Sequence, residues 1–303
     1  MRPLIVLAAD AELRSDRALP VVAALALANR AQVLAIHVHD DGRDARTRSE
    51  ADALAARAAW TLGQFGIETA WETVTNSDGR VASVIAGIAR ERHASLVALG
   101  SHAHGSLGGL FLGSVSHQVL ALVDCQVLIA GGLDGREPLV PAEISRILVA
   151  ADRSLESAAA LTAVEPLALA LRARVLVIHV SDVRTGNGET SRLQLEDSTR
   201  ALVRRASNDL RLSGVRAEWT IPAGSHAVPA RIAEAAREWQ ADLIVMGSRR
   251  HGELASVLVG SVVHRLGQLT ARPILVAERP ARKVPAADEE HNGLRQLVAL
   301  GEA

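Results

Sequence analysis

The chain is written twice. "VLAIHVHD" at 33–40 returns as "VLVIHVSD" at 175–182, 142 residues later, and "VLAAD" at 6–10 returns as "LVAAD" at 148–152 with the same offset. Farther on, "LGSHAHGSLGGLFLGSVSH" and "MGSRRHGELASVLVGSVVH" share their punctuation: twelve residues separate Gly100 from Gly113 and Gly247 from Gly260, and a serine follows each second glycine. A duplication that keeps this order forces a fold made of two copies of one unit. In 303 residues each copy has roughly 150, an ordinary domain size and enough to bury a core.

Within each copy, short Val/Ile/Leu-rich runs alternate with longer stretches of helical period, the pattern of parallel strands joined by crossover helices. In the first half the pattern predicts strands near 3–9, 32–38, 67–74, 95–99 and 126–130, with helices near 14–29, 44–64, 79–92 and 114–123. The strands lack clean polar alternation, as when helices cover both faces of a sheet. The fold class expected is therefore α/β: two Rossmann-like open parallel five-stranded α/β sandwiches in tandem. Domains are expected at 1–131 and 145–278, joined by a Gly- and Pro-containing linker at 132–144. A tail at 279–303, with a short helix at Leu294 to Leu300, lies beyond the repeat without a counterpart in the first half.

Open parallel sheets bind ligands beyond the carboxyl ends of their strands, where the crossover direction reverses. The repeated motifs converge there: Asp10 and Asp152 end the first strands, Val38 and Val180 the second, Gly100 and Gly247 the fourth. With these residues the chain resembles a tandem member of the universal stress protein family, whose nucleotide-binding members carry G-x2-G-x9-G-[ST] after the fourth strand. The resemblance covers nearly everything but linker and tail. It implies that the first-strand segment and the valine after strand two flank an adenine, while the glycine loop wraps ribose and phosphates. By position this nominates Ala8, Asp10, Val38, Gly100, Gly113, Ser114, Val115 and Ser116 in one half, and Ala150, Asp152, Val180, Gly247, Gly260, Ser261 and Val262 in the other.

Elementary chemistry supports those roles independently. Glycine lets backbone approach a phosphate closely, serine supplies a hydroxyl where a helix begins, and the helix's free N–H groups and dipole attract anions. The same residues also serve ordinary turns and caps. The motif's second glycine falls on Ala103 in the first half and Arg250 in the second, and Gly105 and Gly252 stand two residues too late to replace it. If that position needs positive φ, a side chain there is strained by roughly 1 kcal/mol or more. The first half keeps Ser116 where the second has Val263, so the first site is expected to be the better one for ATP.

The remaining features narrow the function. A formal net charge of -1 offers no electrostatic footprint for nucleic acid or an anionic membrane, and no apolar run is long enough to span a bilayer. A cytoplasmic location is expected. Cys125 is the sole cysteine, best read as a small hydrophobe beside a strand. His37, His179, His117 and His264 read as satisfied polar positions or phosphate neighbours, because repeat partners in different halves argue against a shared metal site. Trp71 and Trp219 recur in the third strands, where packing is the expected role.

Neither a G-x-S-x-G elbow nor a lysine-bearing phosphate loop is present, so an enzyme is not expected, although slow ATP hydrolysis stays open. The function expected is an ATP-binding stress-response regulatory or sensor module; another adenine nucleotide and accompanying Mg stay open, as do the protein partner and a homodimer. The alternative is a structural interaction module of the same fold without nucleotide. The fifth strands, "QVLIA" at 126–130 and "PILVA" at 273–277, are apolar edges that need covering and are expected to pair between the halves as an intrachain pseudo-dimer.

Overall fold

The computed structural model describes residues 2–10, 14–40, 45–76, 80–104, 109–111, 113–130, 140–152, 154–180, 189–222, 227–247 and 261–278. The first half runs β1 (Leu4–Ala9), α1 (Arg14–Asn29), β2 (Gln32–Asp40), α2 (Ala45–Gly63), β3 (Thr69–Asn76), α3 (Val81–Glu91), β4 (Leu96–Gly100), a ribbon of β5 (His102–His104) and β6 (Gly109–Phe111), α4 (Ser114–Leu122) and β7 (Gln126–Ala130). The second half repeats it as β8 (Arg146–Ala150), α5 (Leu155–Leu171), β9 (Arg174–Ile178), α6 (Glu189–Leu212), β10 (Arg216–Thr220), α7 (Val228–Glu238), β11 (Leu243–Gly247), α8 (Ser261–Leu269) and β12 (Ile274–Ala277). The helix expected at Leu294 to Leu300 lies outside the described residues.

Each half is a parallel sheet, and the two join into one ten-stranded sheet ordered β10-β9-β8-β11-β12-β7-β4-β1-β2-β3. The fifth strands form the seam: β12 runs antiparallel to β7, with Leu275 opposite Leu128. Pairing hides two apolar edges at once, and the intrachain pseudo-dimer expected from the sequence is what the chain forms.

Alternate residues of the inner strands feed opposite layers. Leu7, Ala35, Leu128 and Val149 pack under α1, α2, α5 and α6, while Val6, Ile36, Ile129 and Leu148 pack under α3, α4, α7 and α8. Both faces of the inner strands are covered, so those strands are largely apolar, while the edge strands β3 and β10 expose Trp71, Thr75, Arg216 and Thr220. The duplication reaches backbone conformation: Arg30 and Arg172 follow equivalent helices at φ 51 and 54, and His93 and Gln240 do so at φ 52 and 54.

Two expectations need correction. Trp71 is 48% exposed, whereas Trp219 packs against the α5/α6 layer together with Ile221. The repeat partner of Ile221 is Thr73, so Trp71 lacks the apolar neighbour two residues along its own face. The glycine-rich segment after β4, expected to be only a loop, contains the β5–β6 ribbon, with Ala103 opposite Leu110. Ala103 is thus extended strand, where alanine is unstrained, and the positive φ considered for that position is not adopted.

Candidate functional site

The strand order places β1 between β4 and β2, so their carboxyl ends open side by side where the crossovers diverge. Ala8 pairs with Leu99 on one side and Ile36 on the other, and Gly100 and Val38 lie just beyond. Ala8, Val38 and Val115 are partly buried against the α3/α4 layer, and Ala150, Val180 and Val262 are likewise placed in the second half. The structure therefore gathers these six nominated residues as two half-open apolar surfaces, one beside the first turn of α4 and one beside that of α8.

The first-strand ends are pinned by the histidines. His37 Nδ1 donates to the Ala9 carbonyl and His179 Nδ1 to the Ala151 carbonyl, each at 2.8 Å, which fixes the same tautomer in both halves. These rings are satisfied polar groups.

Gly113 caps α4 in extended conformation, φ -68 and ψ 170, with no side-chain hydrogen bond to the first turn. A Cβ there would meet nothing within 4 Å. Neither conformation nor internal crowding requires glycine at this position. Ser114 is exposed, Ser116 is buried, and the first turn of α4 carries no carboxylate. The free N–H groups and dipole of such a helix start favour an anion. By contrast, Ser154 caps α5 by accepting from the Ser157 N–H.

The second half is built on the same plan, with Gly247 at the end of β11 and Ser261 opening α8. Val263 is buried at the place of Ser116. Gly260 and Arg250 lie outside the described residues.

The two aspartates differ. Asp152 Oδ1 accepts from the Ser154 N–H at 2.8 Å and from its hydroxyl, and Ser157 Oγ accepts from the Asp152 N–H at 2.8 Å, so this end is locked to the start of α5. Asp10 instead lies close enough to Asp16 for their charges to interact. Burial holds the Asp16 carboxyl above its ordinary value, and the Asp10 charge adds to this, although Arg57 Nη2 donates to both Asp16 oxygens at 2.8 Å. Sequence reasoning missed Asp16 and Arg57 because they stand 41 positions apart, on α1 and α2, with no motif linking them.

The halves also touch near their loops. The β6 strand lies against α8, and the rings of His117 and His264, in the first turns of α4 and α8, meet edge to face with centroids 6.3 Å apart. The separation inferred from their places in different halves is corrected here, since the antiparallel seam brings equivalent helices together. Among the described residues no group of three or more His, Cys, Asp or Glu could hold a metal ion. Cys125 is partly buried; burial first, then the Asp124 charge, pushes its thiol up to about 11. A group so rarely ionised is a poor nucleophile.

The universal stress protein family model matches residues 1–131 and again 143–278. The chain belongs to the universal stress protein family. A universal stress protein from Archaeoglobus fulgidus DSM 4304 superposes with a TM-score of 0.71 at 20% identity, over 92% of this chain and 99% of that one. A Pseudomonas aeruginosa PAO1 protein of unknown function gives 0.63 at 15% identity, over 92% and 93%. At these identities the likenesses bear on the fold, two family units in tandem. A single-unit Archaeoglobus fulgidus universal stress protein in complex with dAMP matches 45% of this chain and all of its own, at 20% identity and a TM-score of 0.35. No curated protein matches the chain. Among the described residues no helix is long and apolar enough to cross a membrane.

Proposed function

We propose that this universal stress protein binds an adenine nucleotide, ATP, and acts in the cytoplasm as a regulatory module rather than an enzyme. The carrying observation is Gly113: glycine caps a helix where the chain itself needs none, leaving open the approach to first-turn N–H groups. The partly buried Ala8, Val38 and Val115 supply a wall for a flat base, and the Ser114 hydroxyl stands at the helix start for the phosphates. In the second half Ala150, Val180, Val262, Gly247, Gly260 and Ser261 take the same parts, and Asp10 and Asp152 border the two sites. The first half is the stronger site, because Ser116 offers a hydroxyl where Val263 offers none. The domain division at 131 and 145 belongs to the same reading.

The alternative, an interaction module without nucleotide, draws on Ala103 and Arg250. The extended ribbon at Ala103 weakens its first ground. Heat-denaturing the purified protein and analysing the released small molecules, followed by calorimetric titration of ATP, tests the proposal. Stoichiometric adenine nucleotide or saturable binding is expected; neither in a folded sample refutes it.

A further inference from the structure

A cavity of about 760 Å³ opens between the halves, on the side of the sheet away from α4 and α8. Its walls come from the amino-terminal ends of β1 and β4, from α5, and from the junction of β7 with β12. The size is that of a ligand pocket. The duplication requires an equivalent groove under α1, and there the chain itself lies over it: the Ala142 N–H donates to the Pro20 carbonyl at 2.8 Å, Ala142 packs against the core, and Ile144 is buried. The repeat partner of Ile144 is Arg2, which is exposed and pairs with Glu68 at 2.9 Å. The plug present before β8 therefore has no apolar equivalent before β1.

Three observations identify what fits the cavity. Glu278, the residue after β12, lines it, so the chain leaves the second half at its rim. The linker's "VPA" at 140–142 recurs as "VPA" at 284–286, a counterpart in the segment that the sequence pattern alone had placed beyond the repeat. The repeat partner of Pro20 is Thr162, which also lines the cavity, and Pro166 four residues later has no N–H to give the Thr162 carbonyl. That carbonyl suits an incoming N–H better than its counterpart does. Charge agrees as well: Asp124 and Glu278 stand at the rim, and Arg279, Arg282 and Lys283 precede the repeated tripeptide.

We propose that Val284, Pro285 and Ala286 dock along α5 into this cavity, with the Ala286 N–H donating to the Thr162 carbonyl as Ala142 does to Pro20. The five residues 279–283 span up to about 17 Å when extended, ample between two points on one cavity. The C-terminal segment then clasps α5 to the first half, as the linker clasps α1 to the second, and the pseudo-dimer is closed symmetrically on both sides.

Disulfide trapping in the full chain tests this, because residues joined by such a backbone bond lie within disulfide reach. In a Cys125→Ser background, Thr162→Cys with Ala286→Cys is oxidised mildly and read by mass and by non-reducing gel. Most chains should form an intrachain disulfide. The control pairs Ala286→Cys with Arg205→Cys on the exposed outer face of α6, and should cross-link severalfold less. Equal yields in the two pairs would overturn the proposal. A disulfide between two chains would also overturn it, assigning the cavity to the tail of a second copy.

Discussion

Replacing Gly113 by valine distinguishes a loop that holds phosphate from one that only turns a corner. The native conformation, φ -68 and ψ 170, is open to any residue, and a Cβ meets nothing within 4 Å, so the variant should fold. Its cost to stability is that of a poorer N-cap, about 1 kcal/mol. Its cost to binding should be larger. A branched side chain at the cap stands where a phosphate must approach the first-turn N–H groups. Each hydrogen bond lost to a charged group is worth about 1.5–3 kcal/mol, a roughly ten- to 150-fold loss of affinity. The assay is calorimetric titration of ATP into Gly113→Val after circular dichroism has shown it folded. Gly260→Val should lose less, because Val263 already replaces Ser116 in that half. Affinity unchanged within about twofold in folded Gly113→Val would refute the phosphate reasoning, and equal losses in the two variants would refute the asymmetry.

Two further outcomes follow from the geometry. Leu128 is fully buried on the seam strand, opposite Leu275, so Leu128→Ala should lower unfolding free energy by about 2–5 kcal/mol in denaturant titration; a loss under about 1 kcal/mol would mean the seam is not part of the core. Asp16 binds its proton more tightly folded than unfolded, chiefly through burial, so its ionised form costs stability above the raised pKa and the penalty fades as pH falls toward the ordinary 3.8. Asp16→Asn should therefore remove a component of stability that rises on acidification through that window; an unchanged pH–stability slope there would contradict the assignment.

The parallel strands were legible because burial on both faces leaves runs of Val, Ile and Leu with few polar interruptions, and each helix lies between two such runs. The seam was legible too. Two apolar fifth strands in one chain have a ready remedy in each other, and Leu275 against Leu128 is that remedy. The β5–β6 ribbon was not legible: its strands, "HAH" and "GLF", are three residues each, too short to establish a period, and the ribbon's docking on α8 belongs to the other half of the sequence. Burial at repeated positions was also hidden, since Trp71 and Trp219 share a place in the repeat but not the neighbour that decides exposure, Thr73 in one half and Ile221 in the other.

For the candidate sites, the duplication shows which residue types recur but not which of them meet. His117 and His264 are distant in sequence, and each half alone gives its histidine no partner ring. Only the antiparallel order of β7 and β12 turns α4 and α8 toward one another and sets those rings 6.3 Å apart. The same order carries the first half's ribbon onto α8, the helix that follows the second half's glycine-rich segment. The first turns of α4 and α8, the two helix starts nominated for phosphate, are thus adjoining parts of one surface, in contact through those two rings.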